Sequence, residues 1–126
     1  MYFFTDQRVF IGQWKNNSMH GYGEFSWKDG KKYVGFYKND KKDGFGIYYW
    51  EAPNKIYIGF WKNGKQDGVG KYITEEKIIL GLWKDGEKVK LFEEFSDLRN
   101  HVTEEQKKFL YLFTYDKVNI KRFLNQ

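Results

Sequence analysis

The sequence predicts a mainly β protein: a single-layer, twisted antiparallel β-meander with two strands per repeated unit and a helical C-terminal cap. Three observations support this fold class. Short segments alternate glycine with aromatic residues, these segments recur about every 23 residues, and neither Gly nor Pro occurs after residue 90. Aromatic side chains make up 21% of the 126 residues, which argues against a disordered chain because disordered chains lack large apolar side chains.

The first strand of each unit has the pattern aromatic-x-Gly-x-aromatic. Its copies read FIGQW, YVGFY, YIGFW and, with Ile79 in place of the leading aromatic residue, ILGLW. Their central glycines lie 23, 24 and 22 residues apart. Residues i and i+2 of a strand share a face, so Tyr33, Gly35 and Tyr37 are expected on one side of the sheet. The intervening residues Val34 and Phe36 then belong to the opposite side.

A second strand, Gly-x-Gly-x-aromatic, follows in three copies that read GYGEF, GFGIY and GVGKY. Polar runs such as KNDKKD and KDGKK separate the strands and are typical of turns. A glycine beneath an aromatic ring lets the ring lie flat on the backbone, and the ring in turn shields the glycine strand. Phosphate binding by these glycines is not supported, because no third glycine and no Gly-Lys-Ser/Thr follows any copy.

The repeat array is assigned to residues 1–90 and the helical cap to residues 91–126. Phe92, Phe95 and Leu98 have helical spacing, TEEQ is a capping-box signature, and a further short helix is predicted over 115–124. A terminal cap is expected to cover the exposed edge of the last repeat. The alternative is that these residues fold along the sheet and occupy its groove, from the same chain or from another copy.

The second face of the sheet is apolar in the middle repeats. An antiparallel sheet with one solvated side does not need a second apolar face, and a large exposed apolar patch marks an interaction site. Either a partner or the C-terminal helices therefore cover this face. The candidate partner-binding residues are Val34, Phe36, Phe45, Ile47, Tyr49, Ile58 and Phe60.

A column of lysines follows the last aromatic residue of each first strand. Copies stacked about 10 Å apart place this column along one edge of the sheet. It is either a solvated edge that opposes aggregation or an electrostatic stripe for anionic lipid or an acidic partner. The net charge of +5 is compatible with both. The column consists of Lys15, Lys38, Lys62 and Lys84.

The sequence contains no pattern typical of a catalytic, cofactor or metal site. There is no cysteine, His20 and His101 lie far apart in the sequence, and neither HExxH nor Gly-x-Ser-x-Gly occurs. We therefore expect no enzyme activity, no cofactor and no metal. Nucleic acid is also not expected as a partner, because packing on glycine already explains most of the aromatic rings.

The repeated pattern resembles the MORN repeat (membrane occupation and recognition nexus). The resemblance covers residues 2–88, with a partial first unit, three nearly complete units and a partial last unit that lacks Gly-x-Gly. It implies a non-enzymatic scaffold or adaptor that binds an extended peptide or helix of a partner protein along the apolar face. The alternative is binding of anionic phospholipid headgroups by the lysine column.

The resemblance also implies a setting at cytoskeletal, ciliary or membrane-associated structures. The lack of cysteine, of a signal-peptide profile and of a long apolar run adds an expectation of cytoplasmic localisation. Homodimerisation through an exposed terminal repeat is left open.

Overall fold

The computed structural model describes residues 1–51, 54–116, 119–120 and 122. Over this part of the chain, nine strands form one antiparallel sheet in which each strand pairs with its neighbours in sequence. The predicted meander with two strands per repeat is confirmed. The strands are β1 (Tyr2–Phe3), β2 (Val9–Lys15), β3 (Ser18–Ser26), β4 (Lys32–Lys38), β5 (Lys41–Trp50), β6 (Lys55–Lys62), β7 (Lys65–Ile73), β8 (Ile78–Lys84) and β9 (Glu87–Phe92).

Tight turns join the two strands within each repeat. Both central residues of each turn have positive φ, between 50° and 86°, as hairpins of the type I′ class require. Asn, Asp and Gly tolerate this backbone conformation best, which explains the residues found there. The turns are Asn16-Asn17, Asn39-Asp40, Asn63-Gly64 and Asp85-Gly86.

One side of the sheet, here called the ring face, is built from aromatic rings on glycine. A Cβ atom at Gly46 would overlap the ring of Tyr33, and one at Gly70 would overlap the ring of Tyr57. Each leading aromatic ring also meets an aromatic ring of the next repeat edge to face; for Tyr33 and Trp61 the centroids are 5.6 Å apart. The predicted packing of rings on glycine is confirmed. The buried rings are Phe10, Phe25, Tyr33, Tyr37, Tyr57, Trp61 and Trp83.

A bulge recurs in the middle of each of the first three hairpins. In the second, Gly35 lies opposite Gly46 but Tyr37 lies opposite Lys42, so Phe36 faces three residues of β5. Gly44, one of those three, has a φ of 103°, which favours glycine. Bulges increase twist and redirect side chains. The Phe36 side chain lies on the side of the sheet opposite the ring face.

Up to residue 116, the helical elements that follow the sheet are a 3₁₀ helix over Phe95–His101, helix α1 over Glu104–Lys107 and a 3₁₀ helix over Leu110–Thr114. The predicted capping box is present, since the Thr103 hydroxyl accepts from the Gln106 amide and the Gln106 side chain accepts from the Thr103 amide.

Phe92 lies on β9 and not on the predicted first helix, so the last strand crosses the predicted boundary at residue 90. The expectation for Phe92 is wrong because backbone pairing with β8 continues to this residue. Of the predicted helix over 115–124, Asn119, Ile120 and Arg122 are helical, and residues 117, 118, 121, 123 and 124 lie outside the described residues.

Candidate protein-binding face

The side of the sheet opposite the ring face, here called the apolar face, brings together all seven predicted partner-binding residues. Five of them are buried: Val34, Phe45, Ile47, Ile58 and Phe60. Phe36 and Tyr49 are partly buried against the same cluster. Alternation along β4 to β6 places these side chains on one side, as the sequence predicts.

Residues 95–116, here called the C-terminal segment, lie on this face and cover its middle. The Phe109 ring stacks on Phe45 with centroids 5.0 Å apart and an interplanar angle of 3°. Phe113 is buried with its centroid 6.1 Å from that of Phe45 and 6.3 Å from that of Phe60. Leu98 is buried in the same cluster.

The C-terminal helices therefore cover the middle of the apolar face, and the expected cap is not confined to the edge of the last repeat. The structure shows the alternative, in which the segment folds along the sheet of its own chain. The physical reason is that a row of large apolar side chains needs a second layer, which the chain itself supplies. Partner binding by the seven residues stays a prediction, and it now requires that the C-terminal segment leaves the face.

Lys71 lies within the apolar face and is the one charged side chain in the buried class among the described residues, with 8% exposure. Its Nζ donates to the carbonyl oxygens of Phe113 at 2.6 Å and of Tyr115 at 3.0 Å. The last carbonyls of a helical turn have no partner within it, so they are available to the ammonium. Burial lowers the pKa of Lys71, and the negative charge of Asp116 opposes this shift.

The first repeat leaves its end of the apolar face exposed. Ile11 is 44% exposed and Tyr22 is 41% exposed, and Phe3 on β1 is 68% exposed. The Tyr22 ring lies 5.9 Å from the ring of Phe36, which in turn contacts Phe109. The exposed end and the covered middle are therefore one continuous surface.

A cleft of about 470 Å³ opens where the C-terminal segment meets the second repeat. Phe36, Phe45 and Phe109 form its apolar wall, and Glu105 and Lys108 lie at its rim. The cleft marks the border between the covered and exposed parts of the apolar face.

Comparison with known families identifies the repeat. The family model described as MORN repeat matches residues 10–32, 33–51 and 57–74, and each match holds one two-strand hairpin. The chain is a MORN-repeat protein. MORN repeats are generally non-catalytic and commonly act as modules for interaction with proteins or membranes. No curated protein matches the chain.

The predicted lysine column lies at one end of the MORN sheet. Lys15, Lys38, Lys62 and Lys84 are all exposed and each precedes a hairpin turn. Carboxylates lie between them: Asp67 accepts from the Asp85 amide at 3.3 Å and pairs with Lys84 at 3.6 Å.

In the preceding repeat Asp43 accepts the Asn63 amide in the same way as Asp67 accepts that of Asp85, so each aspartate caps the next turn. In the first repeat His20 stands at this position. The sequence analysis missed this capping role. The aspartate that directly precedes Gly-x-Gly in the second and third repeats is the signal that could have revealed it.

Lys42 is a second lysine whose role the sequence analysis missed. Its ammonium lies 5.4–6.0 Å from the ring centroids of Trp27, Tyr33, Tyr48 and Trp61, where cation–π attraction stabilises it. Burial lowers the pKa of Lys42. The Lys42 ammonium therefore packs against the rings of the ring face.

Within the described ranges, no group of three His, Cys, Asp or Glu side chains is placed to hold a metal ion. The helical elements described after the MORN sheet are also too short and too polar to cross a bilayer.

Proposed function

We propose that this MORN sheet is a non-enzymatic scaffold module that binds a segment of a partner protein along its apolar face. The observation that supports the proposal most is that the face already holds an apolar helical segment, residues 95–116. Its first-repeat end, with Phe3, Ile11 and Tyr22, also exposes apolar side chains that the sheet itself does not need to expose.

The dimensions of the exposed end suit a helix. Four strands, β1 to β4, are separated by three spacings of about 4.8 Å each, which gives a width of about 14 Å. An α-helix with its side chains is about 10–12 Å in diameter, so one amphipathic helix fits across this end. Phe36 and Tyr22 are the candidate anchors, because interfaces concentrate their energy in a few central aromatic residues.

A selection from a displayed library of amphipathic peptides tests the proposal. Peptides that bind the full chain should lose at least ten-fold in affinity on an Ile11→Asp, Tyr22→Asp double variant. The matched control is Val89→Asp, Leu91→Asp, which adds the same charge at two exposed apolar residues of β9. Equal affinity for both double variants, or no enriched peptide, contradicts the proposal.

Binding of anionic phospholipid headgroups is the second candidate, supported by the exposure of Lys15, Lys38, Lys62 and Lys84 on one edge. The neighbouring Asp43 and Asp67 carboxylates weaken it, because they lower the positive potential of that edge. Co-sedimentation with vesicles with and without phosphatidylserine, at two salt concentrations, tests it. Binding that falls with salt and with a four-fold Lys→Gln variant of the column supports the lipid function.

The proposed setting is the cytoplasm, at a cytoskeletal, ciliary or membrane-peripheral assembly, because a scaffold of this kind acts by joining other proteins.

A further inference from the structure

The C-terminal segment is attached to the sheet by side chains and not by backbone pairing. In the described ranges, its backbone hydrogen bonds are local, such as Leu112 to Phe109 and Tyr115 to Leu112. Two hydrogen bonds join it to the sheet there, and both come from Lys71. Among the described residues, departure of the segment therefore breaks the Lys71 hydrogen bonds and apolar contacts, whereas the strand-to-strand ladders of the sheet stay paired.

Lys71 limits which segments can occupy the covered part of the apolar face. The equivalent positions of the first two repeats hold Glu24 and Ile47, so a lysine is not a requirement of the repeat. A buried ammonium without an acceptor is strongly unfavourable. Any occupant of this face must therefore bring oxygen acceptors to Lys71, either the last carbonyls of a helix or a carboxylate.

The C-terminal segment shows which pattern of side chains meets these demands. Phe109 caps the 3₁₀ helix over Leu110–Thr114 and Phe113 lies within it, and both rings contact Phe45 and Phe60. The carbonyl oxygens of Phe113 and Tyr115 accept hydrogen bonds from Lys71, and the Asp116 carboxylate follows directly after Tyr115. Two aromatic side chains four residues apart, followed by an acceptor, thus form the complement of this face.

We propose that residues 95–116 are a built-in competitor for a partner segment at the covered middle of the apolar face, and that the partner is a helical segment with the same pattern. This inference rests on the proposed function, because it concerns the same apolar face. The partner segment carries two aromatic residues four positions apart and places a carboxylate or a helix C-terminus against Lys71. Binding requires release of the C-terminal segment.

A synthetic peptide of this chain's own residues 103–116 is the probe for the competition. It should bind a full-chain Phe109→Ala, Phe113→Ala variant at least ten-fold more tightly than the unaltered chain, whose own segment occupies the face. A peptide with the same two alanines is the matched control and should not bind. Equal affinity for the variant and the unaltered chain overturns the proposal.

A double-mutant cycle in that weakened background tests the role of Lys71. A peptide with Asp116→Asn should bind several-fold more weakly than the original peptide when Lys71 is present, and the difference should vanish with Lys71→Met. Lys65→Met, at an exposed position, should leave the difference unchanged. If the two peptides still differ in affinity when Lys71→Met is present, Lys71 does not select the occupant of the face.

Hydrogen exchange of the unaltered chain supplies a test that needs no variant to fold. The amides of Leu112 and Tyr115 should exchange at least a hundred-fold faster than those of Ile47 and Ile58, because the segment opens while the sheet stays folded. If all four amides exchange at the rate of global unfolding, the proposal that the C-terminal segment is a competitor is overturned. The peptide selection at Ile11 and Tyr22 is independent of this result, so failure of the competitor is distinguishable from failure of the proposed function.

Discussion

The two faces of this sheet are closed in different ways. The ring face is closed by neighbours in sequence: Tyr33 lies over Gly46 in the adjoining strand and contacts Trp61 of the next repeat. The apolar face is closed from far away, since Phe109 stacks on Phe45 and Lys71 binds carbonyls 42 and 44 residues further along the chain. The repeat therefore specifies the ring face by itself, and the apolar face receives its second layer from outside the array.

This difference separates stability from function. In the first three repeats the leading rings lie on glycines of the neighbouring strand, so these positions have little freedom to change. The apolar face needs an apolar layer, but nothing in the repeat determines which segment supplies it. Under the proposed function, this second layer is the part of the structure that a partner segment would replace.

Replacement of a buried ring should show the largest effect. Trp61→Ala should lower the free energy of unfolding by about 3–5 kcal/mol, because Trp61 packs between Tyr33 and Tyr57. Phe113→Ala should lower global stability less, since its loss is limited to the docking free energy of the C-terminal segment. Urea unfolding followed by circular dichroism measures both. Equal losses would show that the two faces form one cooperative unit.

Addition of one methyl group to the ring face should have the next largest effect. Gly46→Ala forces the Tyr33 ring from its place and should lower stability by about 3 kcal/mol. Gly64→Ala is the matched control: no atom lies within 4 Å of its Cβ position, so only its positive φ opposes the change. That strain amounts to about 1 kcal/mol. Thermal unfolding that ranks the two variants in the reverse order would contradict the packing of rings on glycine.

The ring face could be predicted from the sequence because its contacts follow from local alternation. Tyr33, Gly35 and Tyr37 share a side in any strand, and the constant offset of Gly46 in the next strand fixes the register. Position and residue type alone are sufficient to predict these contacts, and the structure shows them in the first three repeats.

The site could be predicted only in part. Alternation also placed Phe45 and Phe60 on one side, but no period in the sequence indicates which distant segment covers them. The helical spacing of Phe92, Phe95 and Leu98 was misleading, because pairing with β8 keeps Phe92 in a strand. Lys71 was the available signal: a lysine between apolar neighbours implies acceptors from elsewhere, and the C-terminal segment provides them.

The smallest expected effect concerns the tyrosine hydroxyl groups of two successive repeats on the ring face. The Tyr33 hydroxyl donates to the Phe36 carbonyl at 3.0 Å, whereas the buried Tyr57 hydroxyl has no hydrogen-bond partner among the described residues. Loss of a hydrogen bond typically costs about 1 kcal/mol, and removal of an unpaired buried hydroxyl costs nothing or stabilises.

Tyr33→Phe should therefore lower the free energy of unfolding by about 1 kcal/mol, and Tyr57→Phe should leave it unchanged or raise it. Urea unfolding of the two single variants under one set of conditions gives the comparison directly, because each change removes the same atom from the same kind of ring. An equal loss for both would mean that the Tyr57 hydroxyl is hydrogen-bonded in solution. The two repeats would then be energetically equivalent, and the ring face would be uniform along the array, in contrast to the apolar face beneath its single C-terminal segment.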